Sequence, residues 1–445
     1  MLADHTSQKH LFIETYGCQM NIADSELIAA ILGTVGYELT DDLAAADAVV
    51  VNTCSIRDNA EQRVKGRLSE LCGIRKHRKI IIGIMGCMAQ RLGDELLSMG
   101  ADIVAGPDSY RDLPHLFAEA ELGHKSISAA LSTTETYSDL RPVRLPSSAF
   151  TAFVSIMRGC NNFCSYCIVP YTRGRERSRS VQSILEEIAT YQMNGRHEIT
   201  LIGQNVNSYN YKDEQGNTTS FATLLSEVAT QFPDLRIRFT TSHPKDMTDD
   251  ILETIAKYPN VCNHIHLPLQ SGSSRILKLM NRHYNIDDYM ARIESIRRII
   301  PDCGITTDVF CGFSSETEED HKETLRIMEE VGYDSAFMFQ YSERPGTYAA
   351  KHLPDDVPAD VKNRRLQEII ALQNRLSLES NNRDVNKVFD VMIEGRARRS
   401  AEQVIGRTQQ NKAVVLDAAP DLKVGSIVKV KITSASQATL LGERI

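Results

Sequence analysis

Cys160, Cys164 and Cys167 stand as Cys-x3-Cys-x2-Cys in the stretch MRGCNNFCSYCIVPYTRGRERSR, residues 157–179. Three soft thiolates so close in sequence can wrap one metal centre, because a short loop brings their sulfurs together. Thiolates select zinc or iron–sulfur clusters. A bacterial ferredoxin run carries a fourth cysteine nearby, and none follows in this loop. A four-iron cluster on three cysteines leaves one iron without a protein ligand, and an open metal position marks a catalytic site rather than a closed structural one. On spacing alone, a zinc site with a distant fourth ligand and a thiol cluster of no function stand beside the iron–sulfur reading. The stretch runs on into Arg173, Arg175, Arg177 and Arg179. Alternate residues of an extended segment project to one side, and guanidinium groups match phosphate bidentately. The alternative is a solvated charged run.

Three further cysteines follow strand-like runs. LFIETYG (Leu11 to Gly17), ADAVVVNT (Ala46 to Thr53) and KIIIGIMG (Lys79 to Gly86) read as strands. Between them lies a helical face of Leu27, Ile28, Ile31, Leu32 and Val35, then a polar helix from about Arg57 to Ile74. A further helix runs from about Ala89 to Ser98. This β-α-β-α-β-α order implies a parallel, doubly wound sheet. Cys18, Cys54 and Cys87 each fall just past a strand, at the carboxyl edge where such sheets bind ligands. Residues far apart in sequence thus converge, and three thiolates there can hold a second cluster. Gly17 and Gly86, each before a cysteine, let the backbone come close. The plainer alternative is three small buried residues ending strands. Cys72, in the second helix, reads as structural.

The elements that position these thiols belong to a chain of 445 residues, 42% hydrophobic and 24% charged, enough for about three domains. No signal or transit pattern is evident and no apolar run approaches about 18 residues, so a cytoplasmic protein with no membrane span is expected. Ten cysteines then favour metal or catalytic thiols over disulfides. The net charge of −8 argues against coating nucleic acid with the whole surface, while leaving room for a local basic patch. Residues 9–123 form the N-terminal domain. Residues 124–149, rich in Ser and Thr with Pro142 and Pro146, read as a linker. From 150 to 380 six strand candidates alternate with helices: Ala152–Met157, Glu198–Ile202, Arg236–Thr241, His264–Leu267, Gly304–Phe310 and Ser335–Gln340. That is a repeating βα unit, short of the eight of a closed barrel. His264 and His266 share a strand face, as a metal pair or as packed polar residues; Cys262, Cys303 and Cys311 read as core thiols. Residues 381–445 give five short strands, an OB-like barrel with 11 Lys+Arg against 7 Asp+Glu, which reads as an RNA-binding appendage or a structural cap.

The string RGCNNFCSYCIVPYTRGRERSR, with Tyr166 before the third cysteine, resembles the cluster loop of radical S-adenosylmethionine (SAM) methylthiotransferases. YGCQMNIADSE, NTCSIRDNAEQRV and GCMAQR resemble the three cysteine motifs of that family's N-terminal domain, and the C-terminal module resembles a TRAM domain. The resemblance covers nearly the whole chain. It implies a [4Fe–4S] cluster on Cys160, Cys164 and Cys167 that binds SAM, and an auxiliary [4Fe–4S] cluster on Cys18, Cys54 and Cys87 where sulfur is presented. It implies a partial (β/α)6 barrel for the central domain, with cofactor contacts from its strand ends. Tyr166 and Gln204 are candidates, the latter in IGQNVNSY where many radical SAM enzymes have a Gly-Gly-Glu-like turn. Ser242 in TTSHP, Gln270 in HLPLQSGS and Asp308 in TDVFCGFSSETEED are the others. The last string departs from the family pattern at Phe310-Cys311 and Ser314-Ser315. The implied reaction is methylthiolation at C2 of N6-isopentenyladenosine next to the tRNA anticodon. It uses two SAM, one as methyl donor and one as source of a 5′-deoxyadenosyl radical. An electron donor, a sulfur source and the anticodon stem-loop are the implied partners, with Arg173, Arg175, Arg177 and Arg179 facing RNA. The branches acting on threonylcarbamoyl-adenosine or on a ribosomal-protein aspartate, and a non-catalytic iron–sulfur carrier or RNA-binding protein, are the rivals. Anaerobic reconstitution should yield about 8 Fe per chain and leave about 4 when Cys160, Cys164 and Cys167 are all Ala; zinc in place of iron, or full iron in the triple variant, refutes the assignment.

Overall fold

The computed structural model describes residues 8–55, 58–145 and 150–445. Ile56 and Arg57 of the second cysteine motif, and Pro146 of the expected linker, lie outside the described residues. The chain falls into two units. The first comprises Met1–Ser148, Met157–Asn161 and Ile168–Arg179; the second holds the rest.

The first unit is built on a parallel sheet of β1 (Lys9–Tyr16), β2 (Tyr37–Leu39), β3 (Ala48–Thr53), β4 (Ile81–Gly86), β5 (Ile103–Ala105) and β6 (Ser126–Ser128), in the order β2-β1-β3-β4-β5-β6. Every residue of β3 and β4 is buried. Continuous apolar runs such as AVVV mark strands covered on both faces. On one face α1 (Gln19–Gly33) and α4 (Leu113–Glu121) bury Leu27, Ile28, Ile31, Leu32, Leu113 and Phe117. On the other, α2 (Asp58–Arg75) and α3 (Cys87–Ser98) bury Val64, Leu68, Leu71, Met88 and Leu96. The sheet is therefore doubly wound, as the βα alternation implied.

The expected linker at 124–149 is corrected over its described part. Ser126–Ser128 adds the sixth strand. Beyond it Tyr137 is buried, its ring stacked on Tyr110 at 5.8 Å between centroids, and its hydroxyl donates to the Pro107 carbonyl at 3.0 Å. Ser and Thr hid this segment because strand pairing uses backbone groups, and one aromatic anchor suffices to dock an otherwise polar stretch.

In the second unit the strands Thr151–Ser155, Glu198–Ile202 and Arg236–Thr240 form one parallel triplet, and His264–His266, Gly304–Cys311 and Ser335–Gln340 form another. A parallel bridge between Ile237 and Val261 lies between the triplets, so the arc follows chain order. Helices separate the strands, among them Val181–Met193, Phe221–Gln231, Asp249–Lys257, Ile286–Ile299 and Glu318–Val331. The first strand is shorter than expected: it stops at Ser155, and Met157–Arg158 pairs instead with Arg177–Ser178 in the first unit.

The long helix Ala359–Asn382 leads to a closed five-stranded barrel of Val388–Arg396, Gln403–Arg407, Ala413–Asp417, Ile427–Ala435 and Leu440–Arg444. Val391, Ile393, Val404, Val414, Leu416, Val430, Ile432 and Leu440 fill it. Closure leaves no free strand edge. Arg236 and Arg238, near the start of the third strand of the arc, donate to the carbonyls of Arg407 and Thr408, each at 2.8 Å, and Arg238 Nε also meets Glu198 at 2.8 Å.

Tyr137→Ala should cost about 3–5 kcal/mol, the range for deleting a large buried aromatic. Tyr137→Phe should cost about 1 kcal/mol for its hydroxyl. Urea unfolding of the full chain reads both; an unchanged midpoint for the Ala variant would return the segment to linker status.

Candidate functional site

Strand register levels the three ends that carry thiols. Tyr16 is the partner of Thr53, and Thr53 of Gly86. Cys18 lies two residues past β1, Cys54 one past β3, and Cys87 opens α3. Cys18 in turn caps α1, so Cys18 and Cys87 both sit at helix N-termini. Gly86 holds φ at +91°, and a Cβ there would lie 2.6 Å from the Thr53 carbonyl oxygen. Asn21 and Asn52 lock this edge: Asn21 Nδ2 donates to the Thr53 carbonyl at 3.1 Å and Asn52 Nδ2 to the Asn21 carbonyl at 2.8 Å. A hydrogen bond with Cys54, then the charge of Arg173, bring the Cys18 thiol down to about 6.

Arg173 reaches these thiols. Its Nε donates to Cys87 Sγ at 3.2 Å and its Nη2 to Asp24 Oδ2 at 2.7 Å. Arg158 Nη1 lies 3.0 Å from the other oxygen of Asp24, and Arg177 Nη2 donates to Asp108 Oδ1 at 2.8 Å. Burial alone would raise the Asp24 carboxyl, but Arg158 and Arg173 hold it below the usual range. Of these three guanidinium groups Arg173 is the one that reaches a thiol, and Asp24 is its carboxylate partner.

This overturns the expected row of RNA-facing arginines. Arg173, Arg177 and Arg179 are buried, and of the four only Arg175 is exposed. The run is not extended: Val169–Arg173 is a helical turn, Gly174 follows at φ +70°, and Arg177 pairs with Arg158 in a two-residue strand. Arg177 also donates to the carbonyls of Ser132 at 2.6 Å and Glu135 at 3.0 Å.

Among the described residues, no three His, Cys, Asp or Glu side chains converge on a point for one ion. A four-iron cluster does not ask for that, since each thiolate meets a different iron. Three thiols at level strand ends, two of them on helix N-termini, with a cation against one, are a fitting donor set.

In the Cys-x3-Cys-x2-Cys loop, the Cys160 amide donates to the Gly174 carbonyl at 3.1 Å within the first unit. Gly159 sits at φ +79°, where a Cβ would collide with the Arg175 carbonyl. Cys164 and Cys167 belong to the second unit, and the Cys167 amide donates to the Cys164 carbonyl at 2.9 Å. Ser165 anchors this turn through its amide to Met280 O at 2.9 Å and its hydroxyl to Leu279 O at 2.8 Å. Tyr166 packs edge-on against Phe310 at 4.9 Å and Phe313 at 6.3 Å, and burial pushes its hydroxyl well above the usual range. Phe310, one of the residues that depart from the family pattern, thus supplies one of the two rings that seat Tyr166.

The other candidates sit at or beside strand ends. Gln204 is half-buried just past Ile202. Ser242 is buried with its Oγ unpartnered, as are Asn205 Oδ1 and His243 Nε2. Such orphaned groups need a partner and suit a polar ligand. Gln270 holds φ +67°; its amide donates to Asp308 O at 2.8 Å and its carbonyl accepts from Phe310 N at 3.0 Å. Asp308 Oδ2 lies 3.4 Å from His266 Nε2. His264 and His266 share the Thr306 hydroxyl at 3.0 and 3.1 Å, and burial lowers the His264 pKa. Burial likewise pushes Cys262 up to about 11 and Cys311 up to about 12. Sequence reading missed Arg282, whose Nη1 lies 3.4 Å from Cys164 Sγ, and the Asp24 and Asp108 acceptors. None carries a spacing signal.

In metal-free protein Cys18 should be thiolate at pH 7 and be alkylated by iodoacetamide well before Cys262. Its rate should fall as pH drops through about 6, as the thiolate is protonated. Peptide mass spectrometry across pH 5–8 measures this; equal rates for the two would contradict the site's electrostatics.

The radical SAM superfamily profile matches residues 154–328, the Uncharacterized protein family UPF0004 matches 10–106 and the TRAM domain matches 382–445. Among curated relatives, a tRNA-2-methylthio-N(6)-dimethylallyladenosine synthase of Phocaeicola vulgatus is 59% identical over 100% of this chain and 97% of the relative. Enzymes of the same name from Bacteroides thetaiotaomicron (59%, over 98% and 96%) and Porphyromonas gingivalis W83 (56%, over 99% and 96%) agree. Among solved structures, the radical SAM methyltransferase TsrM of Kitasatospora setae, with cobalamin and a [4Fe–4S] cluster bound, has a TM-score of 0.58 at 14% identity, covering 77% of this chain and 74% of its own. The cobalamin-dependent SAM radical enzyme OxsB has a TM-score of 0.52 at 12% identity, over 83% and 57%. These two bear on fold alone. Thiol triads, open (β/α)6 arc, closed terminal barrel and full-length likeness lead to one assignment: the chain belongs to the radical SAM methylthiotransferases, in the tRNA-2-methylthio-N(6)-dimethylallyladenosine synthase family.

Proposed function

We propose that the two thiol triads divide the family's reaction, methylthiolation of C2 of N6-isopentenyladenosine in tRNA, between them. Cys160, Cys164 and Cys167 hold a [4Fe–4S] cluster with one iron open to SAM. Cys18, Cys54 and Cys87 hold the auxiliary cluster where sulfur is presented. SAM bound at an open iron supplies one-electron chemistry for an aromatic C–H bond that resists polar attack, and the protein supplies position. Tyr166, seated on Phe310 and Phe313, fixes the cluster turn. Gln204, Ser242, Gln270 and Asp308, at the strand ends and turns described above, meet the polar groups of SAM; the buried, unpartnered Ser242 hydroxyl best supports this. The level placement of three cysteines at adjacent strand ends carries the reading, because a single-cluster enzyme has no use for it.

The terminal barrel, with its +4 local charge from 11 basic and 7 acidic residues, engages the tRNA and presents the anticodon stem-loop. Of the arginine run, Arg175 alone keeps an RNA-facing role. An electron donor and a sulfur source complete the partners, and the cytoplasm is the compartment where all of them meet.

The Cys18/Cys54/Cys87 triple Ala variant should still form 5′-deoxyadenosine with a reductant yet make no methylthio product. Removing 381–445 should weaken tRNA binding, with SAM cleavage retained, and the wild-type affinity should fall steeply with salt. Offered isopentenylated tRNA, threonylcarbamoylated tRNA and ribosomal protein side by side, the enzyme should modify the first. Modification of either other substrate alone overturns the choice of branch.

A further inference from the structure

Arg282 is 5% exposed, and a cation so enclosed needs an anion. Among the described residues, none of its hydrogen-bond partners is a carboxylate. Nε donates to the Tyr284 hydroxyl at 3.2 Å, Nη2 to the Pro268 carbonyl at 3.5 Å, and Nη1 to Cys164 Sγ at 3.4 Å and the Tyr166 hydroxyl at 3.5 Å. The guanidinium also lies 5.3 Å from the centre of the Tyr284 ring. Arg173 beside Cys87 differs, for Asp24 neutralises it. Tyr284 is itself held, by carbonyls of Pro268 and Leu269 at 3.1 and 3.0 Å, so the guanidinium has little freedom to turn away from the thiol.

We propose that Arg282 is the fixed counter-charge of the cluster on Cys160, Cys164 and Cys167, and that through its hydrogen bond to Cys164 it raises that cluster's reduction potential. The proposal rests on reading those cysteines as cluster ligands. Three thiolates make the cluster an anion, and reduction adds another negative charge. A cation within hydrogen-bond reach of one ligand sulfur stabilises the reduced form more than the oxidised one. Cluster potentials respond to net charge and to hydrogen bonds on sulfur, and interactions behind the ligands tune a metal centre. Arg282 is thus a positioning and tuning residue that does not itself touch the reacting carbon.

The test uses full-length protein with Cys18, Cys54 and Cys87 replaced by Ala, so that one cluster remains, reconstituted and titrated by EPR. Iron content of this parent tests the ligand assignment by itself: about 4 Fe upholds it, and none removes it. Given that cluster, Arg282→Met should lower its midpoint potential, and Arg282→Lys, which keeps the charge, should recover most of the shift. A Met variant with full iron and the parent's potential overturns the proposal. If the Met variant loses its iron, the Lys variant decides: parent-like iron and potential support the charge, and loss of iron in both shows a merely structural role.

Discussion

The Asp24 carboxylate, shared between Arg158 and Arg173, is the interaction on which the first unit's chemistry depends. It is 1% exposed and comes from α1, whose N-terminus carries Cys18. Two guanidinium groups from a different stretch of chain close on it, and one of them continues to Cys87. Buried pairs of this kind do little for net stability, because desolvation offsets attraction, but losing one partner costs about 3–5 kcal/mol. The pair therefore works as a gauge. It tolerates one arrangement of residues 157–179 against the strand ends, and that arrangement puts a positive charge beside the thiols.

Much of this was legible in residue order. The doubly wound sheet, the six-strand arc and the five-strand barrel each follow from apolar runs of strand length, and the cysteines lie where strands end. What failed to show has physical causes. The arginine run alternates in sequence like an exposed strand. Yet Pro170 in the first turn of a short helix and Gly174 at positive φ fold it back, and three of its four side chains turn inward. Tyr137 gave no periodic signal because one ring, not a face, docks its segment. Arg282 was invisible for a similar reason: a lone arginine in LKLMNRHYN means nothing until Cys164 is beside it.

The strands of the arc divide their labour along their length. At their starts, Glu198, Arg236 and Arg238 are engaged with one another or with carbonyls of the terminal barrel. At their ends, Ser242, Asn205 and His243 leave buried polar atoms unpartnered. Stability sits at one end and unmet hydrogen bonding at the other, as expected where a scaffold holds loops that must still bind something.

The first unit is discontinuous in sequence: Met157–Asn161 and Ile168–Arg179 belong to it although residues of the second unit intervene. A fragment ending at residue 148 would keep Asp24 and Asp108 but lose all three arginines that neutralise them. The N-terminal fold is therefore not a portable cassette. On the ribosome it cannot be completed until Arg179 has emerged, about fifty residues beyond the sixth strand of its sheet, and a gene rearrangement that moved only the first third of the reading frame would transfer its cysteines without the charges set beside them.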